Sequence, residues 1–112
     1  MMGYLDHDAL DRAMAFARTQ AKNTDFLNTY GDLAARGDDD ALFSLGCAFS
    51  TGSHGIGCDM IEAHKWFNLA AARGHEDASN CRAEVAEEMS AREIAEAQRR
   101  ARAWLKEARA RH

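Results

Sequence analysis

The 112-residue sequence contains no proline, so glycine is its only strong helix breaker. The segments between the glycines are rich in Ala, Leu, Glu, Arg and Met, which are strong helix formers. No segment alternates apolar and polar residues in the way that a half-buried strand does. We therefore predict an all-α fold, and the length predicts a single domain that spans residues 1–112.

The chain also lacks a hydrophobic run long enough to cross a membrane, and residues 1–8 have neither the basic nor the apolar region of a signal peptide. Its cysteines, Cys47, Cys58 and Cys81, are odd in number and lack the spacing of a disulfide framework, so we expect reduced thiols. These features predict a cytoplasmic protein, bacterial in style, that has no membrane partner.

The net charge of −4 argues against a general affinity for nucleic acid, although the charge is unevenly distributed. Residues 92–112 contain seven Lys or Arg and three Glu, and they include Trp104. A basic segment with an aromatic residue is one feature of RNA-binding proteins. Trp104 is in phase with the apolar residues of this segment, however. We therefore predict that it belongs to the core and that nucleic acid is not a partner.

Six helices are predicted between glycine, Asx and serine positions, because apolar residues recur there at helical spacing. Ser90 and Glu93 form the capping-box pattern, in which each side chain satisfies a free backbone N–H. The cluster Asp38–Asp40 resembles part of a divalent-ion site, but a helix N-terminus accounts for it, so a cap is the better explanation. The predicted helices cover about 8–20, Asp25 to Gly37, the residues after Asp38–Asp40, Asp59 to Gly74, a segment with Ala78, Cys81, Val85 and Met89, and Ser90 through Ala108.

The predicted helices pair into hairpins that repeat along the chain. Leu33–Gly37 (LAARG) recurs as Ala70–Gly74 (AAARG), 37 residues later, and the alanine four residues beyond each glycine recurs as well. This offset is in the range of helical-hairpin solenoids. We predict three hairpins, at about 5–37, 38–74 and 75–111, of which the last is a degenerate capping hairpin.

The second hairpin carries a characteristic set of residues over positions 41–78. They are Leu45, Gly46, Phe49, Gly52, Gly55, Asp59, Ala63, Trp66, Phe67, Ala71, Gly74 and Ala78. This pattern resembles the Sel-one-like repeat, a longer-looped relative of the tetratricopeptide repeat. The loop at Gly52–Gly55 is one residue longer than in that family, and Gly57 stands where the family often has proline. The resemblance implies a short right-handed α-solenoid of about three hairpins and six helices that serves as a protein-binding scaffold.

Three of these positions have a physical reason that can be read from the sequence. Gly46 lets the two helices of the hairpin approach closely, because it has no side chain. Asp59 is a residue type that caps a helix N-terminus. Trp66 fills the space between the helices.

In tetratricopeptide-like arrays the first helices of successive hairpins line an inner groove, and this implies a partner-binding site. By that count the groove residues are Leu10, Met14, Asp40, Phe43, Cys47, Ser50, Asn80 and Glu84. A helix or an extended peptide docks in such a groove, and apolar anchors beside an acidic edge favour a basic amphipathic ligand. The alternative is that these residues contact the adjacent hairpin, since stacked repeats share one continuous core.

The sequence thus predicts a non-enzymatic adaptor or regulator that binds a protein partner and needs no cofactor. One alternative is an inhibitor or immunity-type protein for a single enzyme, and an unprotected repeat end also allows a homodimer. Another alternative is a metal- or thiol-dependent enzyme at His54, Cys58 and His64. Zinc sites use tighter ligand spacing, and no oxyanion-hole motif accompanies Cys58. His64 lies beside the core positions of its helix, where we expect it to face solvent.

Overall fold

The computed structural model describes residues 25–110, and it confirms the predicted all-α fold for this part of the chain, which has five helices and no strand. The predicted helix at 8–20 and the groove residues Leu10 and Met14 lie outside the described residues. The helices are α1, described over 25–35, α2 at Asp39–Thr51, α3 at Met60–Ala72, α4 at Glu76–Ala86 and α5 at Ala91–Ala110. None of the helices within 25–110 is long and apolar enough to cross a membrane.

The C-terminal ends of α1 and α3 have the same geometry, in agreement with the repeated Ala-Arg-Gly sequence. Gly37 and Gly74 both have positive φ, at 94° and 97°. In each case the residue after the glycine donates its N–H to a carbonyl in the last turn of the helix. The two bonds run from Asp38 to Leu33 at 3.0 Å and from His75 to Ala70 at 3.2 Å. This Schellman pattern satisfies carbonyls that a helix end would otherwise leave free.

Side chains at the helix N-termini accept hydrogen bonds from free backbone N–H groups. Asp38 and Asp59 each accept one from the residue three positions ahead, at 3.1 Å, which confirms both as caps. Ser90 and Glu93 form the predicted reciprocal capping box, with bonds of 2.8 and 3.1 Å. At the start of α4 the cap is His75, whose Nδ1 accepts an N–H at 3.2 Å. This cap was not predicted from the sequence, although His75 is the repeat equivalent of Asp38.

α3 is the central helix, because it packs against α2, α4 and α5. Its Phe67 is 1% exposed and belongs to the same core cluster as Leu42 and Leu45 of α2. Gly46 of α2 lies directly against this ring, since a Cβ at that position would be 2.5 Å from Phe67 Cδ1. The predicted role of Gly46, a close approach of the two helices, is confirmed.

α5 packs on α3 through an aromatic contact and an ion pair. The rings of Trp66 and Trp104 meet edge to face, with centroids 5.5 Å apart, an arrangement that aromatic pairs prefer. The guanidinium of Arg100 donates to Glu62 of α3 at 2.8 Å. Trp104 is half-buried and packs against the core cluster, as predicted from its phase in the helix.

The turn between α4 and α5 differs from the prediction at Met89. α4 ends at Ala86, so Met89 lies in the turn and packs against the core from there. The N–H groups of Glu88 and Met89 donate to carbonyls three residues back, which tightens the chain and ends the helix. The helix cannot continue through Ser90, because the capping box of α5 begins there.

Candidate functional site

A depression of about 380 Å³ lies between α2 and α4, and we call it the α2–α4 groove. It is lined by Cys47, Ser50 and Thr51 of α2, Phe67 of α3, Cys81, Glu84 and Val85 of α4, and Glu88 of the turn that follows α4. Three of the predicted groove residues, Cys47, Ser50 and Glu84, are therefore brought together on one surface. The first helices of two successive predicted hairpins form its walls.

The two thiols of the groove, Cys47 and Cys81, both have a raised pKa. Burial raises the pKa of Cys47, and the neighbouring Cys81 raises it further. Burial also raises the pKa of Cys81, with smaller contributions from Glu84 and Asp77. Both thiols are thus protonated at neutral pH, and the nucleophilic form of cysteine is the thiolate. In that state they behave as small hydrophobic side chains.

The hydroxyl groups of the groove are already engaged within α2. Ser50 Oγ and Thr51 Oγ1 both donate to the carbonyl of Cys47, at 3.0 and 2.9 Å. The rim is acidic, because Glu84 of α4 and Glu88 of the following turn are exposed, and no cationic residue is found among the described residues that line the groove. The groove therefore offers a ligand apolar contact and negative charge.

Three other predicted groove residues lie outside this depression. The ring of Phe43 stacks on His75, with centroids 4.3 Å apart, and is tilted against Phe67 at 5.7 Å. Phe43 thus contacts His75, the first residue of the next predicted hairpin, which is the alternative that the sequence left open. The Asp40 side chain is 95% exposed, with Oδ1 at 3.8 Å from Nε2 of His75. Asn80 is exposed on α4 but does not line the groove.

Cys81, Val85 and Glu88 line the groove but were not among the predicted groove residues. Cys81, Glu84 and Val85 are spaced i, i+3 and i+4 along α4, which places them on one helix face, and Glu88 continues this spacing at i+7 in the turn after the helix. The repeat alignment selects Asn80 instead. An error of one residue rotates a position by about 100° around a helix, and the spacing from Cys81 is the signal that identifies the correct face.

The residues of the alternative metal or thiol site have separate contacts. His54 is exposed in the loop, and its ring stacks on Phe26 with centroids 4.1 Å apart. The thiol of Cys58 donates to the carbonyl of Ser50 at 3.5 Å. Within residues 25–110 no three His, Cys, Asp or Glu side chains are grouped in a way that could hold a metal ion.

His64 is buried, with 4% exposure, so the prediction that it faces solvent is wrong. The reason is the central position of α3, which neighbouring helices cover on more than one side. Burial lowers the pKa of His64, and the charge of Arg82 on α4 lowers it further. Its Nδ1 is buried without a hydrogen-bond partner among the described residues. His64 is therefore a neutral residue of the core at neutral pH.

Comparisons with protein-family models, with curated proteins and with solved structures find no match to this chain. The resemblance to the Sel-one-like repeat accordingly depends on the sequence pattern of residues 41–78.

Proposed function

We propose that the chain is a non-enzymatic protein-interaction module that binds a basic amphipathic segment of a partner protein in the α2–α4 groove. The observation that carries this proposal is the composition of the groove. The half-buried, protonated thiols of Cys47 and Cys81 supply apolar surface above the buried Phe67 and Val85, and Glu84 and Glu88 supply an acidic rim. The proposed setting is the cytoplasm of a bacterium, and the binding requires no cofactor.

A basic amphipathic helix matches this groove in both chemistry and size. Such a helix carries apolar anchors at i, i+3 or i+4 and i+7, with Lys or Arg beside them. The groove volume of about 380 Å³ is within the range of about 300–1,000 Å³ that is typical of ligand pockets, so it receives anchor side chains rather than a whole helix. Glu84 and Glu88 then attract and orient the cationic side chains.

We infer further that the helices belong to a short right-handed α-solenoid of Sel-one-like hairpins, with α2–α3 as one hairpin and α4–α5 as the next. The repeated helix ends support this inference. Gly37 and Gly74 have nearly the same φ, and they lie 37 residues apart. Ala41 and Ala78, four residues beyond these glycines, are 2% and 0% exposed. A groove between the first helices of two hairpins is the binding surface that such an array presents.

A charge-matched pair of variants tests the proposed groove. The groove variant is Glu84→Gln/Glu88→Gln, and the control is Asp32→Asn/Glu87→Gln, which removes the same charge from exposed positions that do not line the groove. Phe43 is left unchanged, because it packs against Phe67 and its removal would disturb the core.

The probe is a synthetic helix with Leu at i, i+3 or i+4 and i+7 and with Lys at the other positions. We expect its addition to shift the amide NMR signals of residues 47–51 and 81–88. Binding should weaken in the groove variant and stay unchanged in the control. Shifts elsewhere, or equal weakening in both variants, would contradict the proposal.

Affinity capture from a native lysate extends the test to natural partners. A defined protein should be retained by the wild type and by the control variant and lost from the groove variant. Recovery of one enzyme in fixed stoichiometry would indicate that the protein is a specific inhibitor of that enzyme. Equal retention by all three baits would argue against the α2–α4 groove as the binding surface.

A further inference from the structure

A second depression, of about 470 Å³, lies where the C-terminal ends of α1, α3 and α5 meet. It shares no lining residue with the α2–α4 groove. Its apolar surface includes Ala34, Trp104, Leu105 and Ala108. Leu105 is one of the most exposed large hydrophobic residues of the described chain, at 36%.

Three arginines surround this apolar surface, and we call the site the arginine-rimmed depression. Arg36 follows α1, Arg73 is the C-cap of α3, and Arg109 lies in the last turn of α5. Among the described residues that line the site, none is acidic. On a chain with a net charge of −4, this is a local reversal of sign.

Two of the three arginines have no acidic partner among the described residues. The guanidinium of Arg73 donates to Asp39 and to the carbonyl of Gly37, the latter at 3.0 Å, so it holds the end of α1 beside α3. For Arg36 and Arg109, no carboxylate within residues 25–110 lies as close as 4 Å.

Helix dipoles explain only part of this arrangement. A cation at a helix C-terminus is favourable by itself, and each of the three arginines lies at such an end. The dipole does not explain why apolar side chains, Trp104 and Leu105, are left open between the arginines. Exposed apolar surface with a polar rim is typical of interaction sites.

We propose that the arginine-rimmed depression binds an acidic segment of a partner protein, in which an apolar side chain is flanked by carboxylates. The apolar side chain packs against Trp104 and Leu105, and the carboxylates pair with Arg36 and Arg109. Arginine suits this role because its planar guanidinium matches a carboxylate in a two-bond geometry. The inference does not depend on the α2–α4 groove, because the two sites have different residues and opposite charge.

NMR titration of the full chain with a synthetic peptide tests the proposal. The probe is a short peptide with a central Leu flanked on each side by Glu, and a peptide with Lys in place of Glu serves as the comparison. We expect the acidic peptide to shift the amide signals of residues 34–37, 73 and 104–109, and the Lys peptide to leave them unchanged.

Two charge-matched variants separate the site from general electrostatics. Arg36→Gln/Arg109→Gln should weaken binding of the acidic peptide by about fivefold, since each exposed ion pair contributes roughly 0.5 kcal/mol. Arg92→Gln/Arg102→Gln removes the same charge from exposed positions outside the depression and should leave the affinity unchanged. Leu105→Ser, which keeps every arginine, should also weaken binding.

The proposal is overturned if the acidic peptide shifts no signal in residues 34–37 and 104–109, or if both arginine pairs weaken binding equally. Arginines that only offset helix dipoles would produce the first of these results. Tighter binding of a single-stranded oligonucleotide at the same residues would also overturn the assignment to a protein partner, and it would show a steep dependence on salt.

Discussion

At the scale of single residues, Gly46 has the most demanding position in the described chain. A Cβ at this position would lie 2.5 Å from Phe67 Cδ1, and Phe67 is 1% exposed, so this packed ring would have to shift to accommodate it. We expect Gly46→Ala to lower the free energy of unfolding by about 1–3 kcal/mol, as overpacked core substitutions do. The measurement is urea denaturation followed by circular dichroism.

Gly31→Ala is the matched control for this substitution. Gly31 also lies within a helix, but within residues 25–110 no atom of another element or neighbouring side chain is found within 4 Å of the position of its Cβ. Alanine there should stabilise the protein by about 0.5–1 kcal/mol, because glycine is unfavourable inside a helix. Equal effects of the two substitutions would show that α2 and α3 are not in the close contact described above.

His64 links the stability of the core to pH. Its pKa is lowered in the folded protein by burial, and then by Arg82, whereas in the unfolded chain it is about 6.5. The unfolded state therefore binds the proton more readily as the pH falls. The stability that neutral His64 provides is complete above about pH 6.5 and is lost as the pH falls from there towards the folded pKa.

His64→Met, which retains a long side chain without the titrating group, tests this dependence. The urea midpoint of the wild type should fall more between pH 7.5 and 5.5 than that of the variant. Parallel curves for the two proteins would mean that protonation of other groups accounts for the pH dependence.

At the scale of helices, the beginnings and ends depend on side chains that are visible in the sequence. Asp59 accepts the N–H of Glu62 at 3.1 Å and begins α3, the helix on which the core is built. Asp59→Ala should lower the free energy of unfolding by about 1 kcal/mol, because an N–H at the helix start loses its partner. Asp59→Asn, which keeps a cap acceptor, should retain most of the stability. A loss as large for Asn as for Ala would indicate that Asp59 acts through its charge instead.

The sequence predicts local features of this fold better than it predicts burial. The caps at Asp38 and Asp59 and the close approach at Gly46 follow from residue type and spacing, so they were predictable. The burial of His64 was not, because the periodicity of one helix does not reveal how many neighbours cover it. α3 has neighbours on α2, α4 and α5, and its buried surface is therefore wider than one stripe.

The candidate groove was predicted only in part, because contacts with neighbouring helices also decide which side chains line it. Cys47, Ser50 and Glu84 were found by counting within a repeat. Phe43 lies on the same helix, but it turns to the ring of His75, a contact that depends on where α4 begins. The arginine-rimmed depression could not be predicted from the sequence, because its lining residues come from the ends of three helices that are distant along the chain.

At the scale of the whole molecule, residues of opposite charge surround two separate depressions, each of which we propose as a binding site. Glu84 and Glu88 rim the α2–α4 groove, and Arg36, Arg73 and Arg109 rim the other depression. If the sites are distinct, each pair of substitutions should affect one ligand only. Glu84→Gln/Glu88→Gln should weaken the Lys-rich helix and leave the affinity for the acidic peptide unchanged, and Arg36→Gln/Arg109→Gln should do the reverse.

Measurement at physiological salt concentration separates local ion pairs from the long-range effect of net charge. At about 0.15 M ionic strength the Debye length is roughly 8 Å, so charges outside a site contribute little to binding in it. If net charge alone drove association, the acidic peptide would bind more tightly to Glu84→Gln/Glu88→Gln than to the wild type, by long-range attraction. Titrations of both peptides against both variants at this salt concentration distinguish the two cases. Unchanged cross-affinities mean that the chain has two surfaces, each able to hold its own partner.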